Sequence, residues 1–476
     1  MHPDWLVLAL SVTAVIVAYV AGERRKSLLR RFRRGLQVAA ERRRADKLRG
    51  YDKKLDHLRP PEVSGHDFDR RLPSPSVEDP YFYITQLRLQ NFRCFSDSQL
   101  DFRFPGESNR RLEYPNVNLL LGNNGSGKSS VLRAVAIVAL GQILSSSGFL
   151  PYRLVRQGAD RARITAAFAS GHPNGADALV GEVRIDRLGS GTLERAEPTS
   201  TGFWRGIFED QTPQFLVVAY GANRRMAQST KDISLDGGSQ AFRFNRVRGL
   251  FNDGVALSPL GDWLPSAIKR RPDEVEEMLS ALLPEGTRLT RKTEDEQPVF
   301  RRKGVEVPLR ALSDGMQSYI GWLGDLLRQL DLVAGHRELR EVGGIVMVDE
   351  IDLLLHPSWQ REVVPAVSAM FPKIQFIFTT HSPIVTGTLE SGNITVANED
   401  PDSGVSTLRT IDAEVRGLSA EQVLLSSYFE LPSTRAQGVT ESLSSLARHA
   451  VEGDAAARRK YLQALVEGWG SEEAPR

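Results

Sequence analysis

Apolar residues along the chain recur in three rhythms, and each marks a different kind of element. Residues 5–21 (WLVLALSVTAVIVAYVA) form a run of seventeen without a charge, at the short end for a membrane span. From Tyr83 to Phe92 apolar and polar positions alternate, as in a strand buried on one face, and residues 100–104 read as its hairpin partner. Short, mostly apolar runs at 117–121, 215–220, 344–348 and 374–380 read as buried strands, the pattern of a parallel sheet covered on both faces. Helical spacing appears at 24–58, 130–140, 273–283, 319–332 and 441–469, and residues 288–309 read as a hairpin. Strands and helices interleaved in this way predict an α/β fold.

Punctuation divides the chain. Residues 59–80 carry Pro60, Pro61, Pro73, Pro75 and Pro80 among polar residues and read as a linker. The expected organisation is a membrane anchor over 1–22, a basic juxtamembrane helix and proline-rich linker over 23–80, a folded head over 81–412 with a helical lobe at about 225–340, and a helical tail over 413–476. In the tail, Leu418 to Gln422 reads as a helix cap.

Charge sharpens the reading of the first eighty residues. The net charge of +2 hides a strong asymmetry: residues 23–59 hold fifteen Lys/Arg against five Asp/Glu, so that residues 60–476 carry −7. The apolar run has Asp4 before it and Glu23-Arg24-Arg25-Lys26 after it, the reverse of a secretory signal. By the positive-inside rule the chain crosses the inner (cytoplasmic) membrane once and leaves the rest in the cytoplasm. The arginines beside the span suit anionic headgroups; nucleic acid is the other partner such a cluster fits. Cys94 is the single cysteine, which excludes an internal disulfide and a cysteine-built metal site; its strand-like surroundings predict a buried thiol.

The chemistry is concentrated at three places. Gly122-Asn123-Asn124-Gly125-Ser126-Gly127-Lys128-Ser129 fits the phosphate-loop pattern and lies between an expected strand and an expected helix beginning at Ser130. In such a loop the backbone N–H groups of residues 123–130 turn inward on phosphate oxygens, Lys128 reaches the β- and γ-phosphates, and Ser129 holds Mg²⁺. The ligands implied are therefore ATP and Mg²⁺. The strand 344–348 runs into Asp349 and Glu350. With side chains alternating across a strand, Asp349 supports Mg²⁺ while Glu350 activates the attacking water. The strand 374–380 ends at His381. Ser313-Asp314-Gly315-Met316-Gln317 opens a helix, where a serine hydroxyl and backbone N–H groups suit a phosphate. Asp400-Pro401-Asp402 reads as a surface turn rather than a metal site.

These motifs together resemble the SMC/RecF/OLD-like branch of the ABC-type ATPases. The opening ITQLRLQNFRCFSDSQLDF before the phosphate loop resembles that family's first hairpin, LSDGMQ resembles its signature, and DEIDLLLHPSWQ resembles the DE-x-D-x-x-LHP form of OLD-like and Septu-type ATPases. His356 stands where ABC transporters have aspartate. The resemblance implies an ABC-ATPase head with a helical lobe and a nucleotide sandwiched between two copies. In such a homodimer the loop of one copy faces Ser313, Gly315 and Gln317 of the other. It makes His381 similar to the switch histidine that contacts the γ-phosphate, places Arg93 and Phe95 near the base and offers Gln157 or Asn223 as the residue that senses Mg²⁺ and water. It further implies a co-encoded effector, as in anti-phage defence. A RecF-like DNA-binding ATPase is the alternative; the −7 body weakens it, because DNA binding rests on clustered Lys/Arg. The sequence has no Toprim nuclease pattern, no HNH-type cluster and no long heptad run.

Overall fold

The computed structural model describes residues 81–466, apart from the stretches 108–111, 142–143, 145–148, 150, 171–178, 189–193, 200–215, 227–242, 285 and 295–296. The expected anchor and the basic helix and linker, residues 1–80, lie outside the described residues. Among the described residues no helix is long and apolar enough to cross a membrane.

The strands are β1 (Phe82–Phe92), β2 (Phe95–Asp101), β3 (Val117–Leu121), β4 (Arg161–Ser170), β5 (Leu179–Arg187), β6 (Glu194–Pro198), β7 (Val217–Tyr220), β8 (Thr287–Glu294), β9 (Gln297–Arg302), β10 (Val305–Pro308), β11 (Gly344–Val348), β12 (Ile374–Thr380), β13 (Ile394–Glu399) and β14 (Ser406–Thr410). The helices are α1 (Lys128–Leu140), α2 (Leu260–Arg270), α3 (Pro272–Leu282), α4 (Asp314–Ala334), α5 (Pro357–Gln360), α6 (Val363–Met370), α7 (Pro383–Thr386), α8 (Ala420–Leu425), α9 (Gln437–Val451) and α10 (Ala455–Val466).

Eleven strands form one sheet in the order β6-β5-β4-β1-β2-β14-β13-β3-β12-β11-β7. From β13 through β3, β12 and β11 to β7 every neighbour is parallel. β1, β2, β4, β5 and β6 form an antiparallel wing. The parallel strands are the mostly apolar runs of the sequence: all residues of β3, β7, β11 and β12 are buried. Alternation sends Leu119, Leu121, Val346, Val348, Phe376 and Phe378 into a core with α2, α3 and α4. Leu120, Ile345, Met347 and Ile377 go into another core with α1. A strand covered on both faces cannot spare a polar side chain unless it is partnered. Gln375 meets that condition: it accepts from the Ile84 N–H at 2.9 Å and donates to the carbonyls of Ile84 and Arg103, each at 2.7 Å, which fastens the wing to β12.

Several elements differ from their sequence-based bounds. The partner of β1 begins at Phe95 and ends at Asp101, because the turn is the two residues Arg93 and Cys94. Cys94 is therefore half-buried in a turn rather than buried in a strand. Residues 288–309 make a three-stranded antiparallel sheet instead of a two-stranded hairpin, since β10 folds back on β9. The C-terminal helical stretch is two helices, α9 and α10, packed on each other and broken at Gly453 (φ +103°). Ser419 caps α8 as expected, in a reciprocal pair with Gln422. Asp400 makes a surface turn, its Oδ1 accepting from the N–H groups of Asp402 and Ser403.

Candidate functional site

The register of the parallel strands assembles the site. Thr380 of β12 is level with Leu121 of β3, and Phe378 with Val348 of β11. The segments that leave the C-terminal ends of these three strands are the phosphate loop, the acids and His381, so the fold delivers them to one edge of the sheet, where open α/β sheets bind ligands.

The loop is shaped by three glycines. Gly125 and Gly127 are left-handed (φ +85° and +99°), a region closed to most side chains. A Cβ on Gly127 would lie 2.6 Å from Cys94 Sγ and 2.7 Å from Phe95 Cζ, so the β1–β2 turn is packed directly against the loop. On Gly122 a Cβ would lie 2.1 Å from the carbonyl oxygen of Ala397 in β13. Phe95, expected near a nucleotide base, is instead wholly buried in the core with α1; its ring supports Gly127 and is closed to a base. Arg93 sits in the left-handed turn (φ +50°).

Lys128 is buried and its Nζ donates to the loop carbonyls of Gly122 (2.8 Å) and Asn123 (2.9 Å). Burial pushes its ammonium down to about 8, against the opposing charges of Asp349, Glu350 and Asp352. Asn123 and Asn124 are exposed, Ser129 is half-buried, and Ser130 is buried on α1. Ser126 Oγ is buried with no partner among the described residues. The N–H groups of Gly125, Gly127, Lys128 and Ser129 likewise donate to no acceptor among the described residues. A buried hydroxyl without a partner and a row of loop N–H groups left open beside left-handed glycines at a helix start are what an oxyanion such as a triphosphate satisfies.

β11 ends at Val348, so the two acids occupy a turn and strand alternation does not separate them. Asp349 is buried, and Thr379 Oγ1 donates to its Oδ1 at 2.6 Å. The same hydroxyl accepts from the Glu350 N–H at 2.7 Å. Glu350 is left-handed (φ +49°), a costly conformation for a residue with a Cβ, and it turns its carboxyl into a half-buried position. Burial, then the charges of Asp349 and Asp352, raises that carboxyl above the ordinary glutamate range. Thr380 Oγ1 donates to Asp352 at 2.5 Å. His381 is half-buried; burial, then Lys128, lowers its imidazole below the ordinary value, leaving it neutral near pH 7.

Ser313 is the exposed N-cap residue of α4, and its side chain caps nothing. Gly315 is pressed against the loop after Asp349–Glu350: a Cβ there would lie 2.3 Å from the Leu354 carbonyl oxygen. Gln317 Nε2 donates to the carbonyl of Leu312 at 2.7 Å. Among the described residues no hydrogen bond joins these three to the phosphate loop. The fold thus gathers Lys128, Ser129, Asp349, Glu350 and His381 in one place and holds Ser313, Gly315 and Gln317 on a separate element.

Neither candidate sensor residue reaches the acids. Gln157 is exposed in a turn, and Asn223, also exposed, donates to the Asp253 carbonyl at 3.0 Å. Their neighbour Arg224 does reach them, with its guanidinium on the carbonyls of Asp349 and Glu350. Sequence reasoning passed over Arg224, Thr379 and Thr380; the paired threonines at a strand end ahead of His381 were the available signal.

Two family profiles match the chain: an AAA domain described as "putative AbiEii toxin, Type IV TA system" over residues 264–386, and a second AAA domain over 86–165. The two matched segments contain the signature, the acids and the histidine in one case and the first hairpin with the phosphate loop in the other. A Septu protein PtuA from Bacillus mycoides is 27% identical over 363 residues, covering 74% of this chain and 45% of the relative. A retron Vc95 probable ATPase from Vibrio cholerae is 41% identical over 99 residues, covering 21% of this chain and 19% of the relative. The chain's matches to two AAA-domain profiles and to Septu and retron ATPases support the resemblance to the SMC/RecF/OLD-like branch of the ABC-type ATPases. The chain spans less than half the length of either of these relatives. Among solved structures, the SMC head domain from Thermotoga maritima aligns over 69% of this chain and 99% of its own, at 16% identity and a TM-score of 0.41. His356, where the resembling motif departs from transporters, is exposed and caps α5, its Nδ1 accepting from the Ser358 N–H at 3.3 Å.

Proposed function

We propose that this protein is a Mg²⁺-dependent ATPase switch that closes as a homodimer on ATP and controls a separately encoded effector, in the manner of a prokaryotic anti-phage defence system. The observation that carries the reading is the division of labour just described. One edge of the sheet collects a phosphate loop with unmet N–H donors, a buried lysine and a raised glutamate. The serine suited to the far side of a γ-phosphate is exposed on another element.

Bound ATP would lie along residues 123–130, with Lys128 leaving its loop carbonyls for the β- and γ-phosphates. Ser129 and Asp349 are the residues that would hold Mg²⁺, which neutralises phosphate charge when bound. Glu350 accepts the proton of the attacking water, helped by the carboxyl's raised basicity. His381 is neutral and half-buried beside Lys128, so its N–H donates to the phosphoryl group without adding a full charge. The partner copy supplies Ser313 and the N-terminus of α4. Similarity to Septu and retron proteins supports the defence setting. Residues 5–21 tether the switch to the inner membrane with the ATPase in the cytoplasm, and residues 81–412 form the ATPase unit with 413–476 as its tail.

Mixing separates a composite site from a self-contained one. Lys128→Ala and Ser313→Arg each abolish hydrolysis. Combined in equal amounts they form mixed dimers with one intact site, so activity returns, to about one quarter of wild type at most, the ceiling reached when the two sites act independently. Complete absence of recovery, with mixed dimers formed and ATP bound, would count against shared sites. For the tether, the full chain sediments with membranes and is released only by detergent, whereas a chain lacking residues 1–59 is recovered in the supernatant. A full chain that leaves the membrane in salt alone would remove the span and leave only the basic segment's attraction for lipid.

A further inference from the structure

The left-handed conformation of Glu350 needs something to hold it. A non-glycine residue at φ +49° persists only where its surroundings over-determine it, and here the surroundings converge on one side chain. Arg224 is 5% exposed and lies four residues past the end of β7, the strand that pairs with β11. Its guanidinium donates to the carbonyl oxygens of Asp349 and of Glu350, the latter at 2.8 Å. Both peptide groups flanking the strained residue are therefore fixed by one planar, rigid fork. From the other side Thr379 Oγ1 accepts from the Glu350 N–H. A third bond returns to the Gly221 carbonyl at 3.2 Å, and Nε is buried without a partner among the described residues.

Arg224 is also tied to the element that carries Ser313. Ser318, on the second turn of α4, donates its hydroxyl to the Arg224 carbonyl at 3.3 Å. One turn earlier Gly315 abuts the Leu354 carbonyl, in the loop that leaves Glu350. The helix whose N-cap awaits a partner's nucleotide thus touches the glutamate's turn twice, once through Arg224 and once through Leu354.

We infer that Arg224 is a positioning residue that sets the backbone of Glu350 and passes the state of α4 to it. A nucleotide engaged by Ser313 of one copy would then adjust the glutamate serving that copy's own phosphate loop, so the two composite sites of a dimer turn over together. The Arg224 guanidinium donates to carbonyls alone, two of them in the turn and one at Gly221; it acts through Glu350. The inference rests on the reading of Glu350 as the group that activates water.

The test uses the full chain. Arg224→Met keeps the stem and removes the fork. Displacing the carboxylate by a fraction of an ångström to about one ångström should lower kcat roughly 10- to 100-fold. Affinity for ATP, measured separately with a fluorescent analogue, should stay within about threefold, because ground-state binding is not what the clamp supplies. In a Glu350→Gln background the same substitution should cost nothing further, and Arg224→Lys, with one donor centre in place of a fork, should recover only part of the loss. Coupled sites should make the wild-type plot of rate against ATP sigmoidal, and Arg224→Met should make it hyperbolic. Wild-type kcat in a folded Arg224→Met chain overturns the inference, as does a loss of binding equal to the loss of kcat, which would make Arg224 a general scaffold. If Arg224→Met does not fold, Ser318→Ala decides. A fall in kcat of about threefold at unchanged affinity supports the link, and an unchanged kcat removes it. If Glu350→Gln itself hydrolyses normally, the fault lies with the functional reading and not with the clamp.

Discussion

A Glu350→Gln chain supplied with ATP and Mg²⁺ is expected to lose hydrolysis by about 10²- to 10⁴-fold, the range for removing a general base, while keeping its nucleotide and accumulating as a dimer. Glutamine preserves the volume and the half-buried position but accepts no proton. The carboxyl it replaces is raised by burial and by Asp349 and Asp352, which is the environment of a group tuned to take a proton rather than to coordinate a metal. Its backbone bonds, from Arg224 and to Thr379 Oγ1, survive the exchange, so the turn stays in place. Removing a negative charge that faces the γ-phosphate also relieves repulsion, which favours the closed, ATP-loaded pair. Phosphate release and light scattering on the same sample read both effects. Wild-type turnover, or a strictly monomeric chain without nucleotide, would remove the basis of the proposed switch.

The parts of this protein that were legible from its residues are those where local rules and tertiary environment agree. β3, β11 and β12 announce themselves as largely apolar runs because both faces of the sheet are covered. The phosphate loop is visible because its glycines answer a backbone requirement, and Gly127 adds one that no motif states: Cys94 and Phe95 fill the space a side chain would occupy. What escaped depends on register. Thr379 and Thr380 find Asp349 and Asp352 only because β12 lies beside β11 in one particular alignment. Arg224 sits in a polar turn next to an exposed arginine, Arg225, and nothing in that turn distinguishes the one that goes inward. Phe95 misleads for the opposite reason, since an aromatic near a nucleotide loop serves equally as a wedge beneath it. The three-stranded arrangement of β8, β9 and β10 was hidden because β10 is four residues long and none of them is fully buried.

Nucleotide affinity is expected to be level up to about pH 8 and then to fall by as much as about tenfold for each further pH unit, with Lys128 as the cause. In the free protein burial lowers this ammonium to about 8, far below lysine's usual value. A triphosphate stabilises the charged form, so the complex holds its proton to a higher pH than the free protein does. Below the free value both states carry the proton and pH has no leverage. Between the two values binding must take one up, and affinity drops as protons become scarce. The neighbours that titrate do so elsewhere: His381 is lowered below the imidazole range and Glu350 is a carboxyl, so neither changes charge in the alkaline window. An unburied lysine would leave affinity flat to beyond about pH 10, and such a flat profile would show that the loop does not desolvate Lys128. Lys128→Ala should flatten the profile too, but at an affinity roughly 10- to 100-fold lower throughout, the contribution of hydrogen bonds to a charged group. Titrating a fluorescent ATP analogue into both chains across that range separates a lysine that is absent from one that has merely lost its proton.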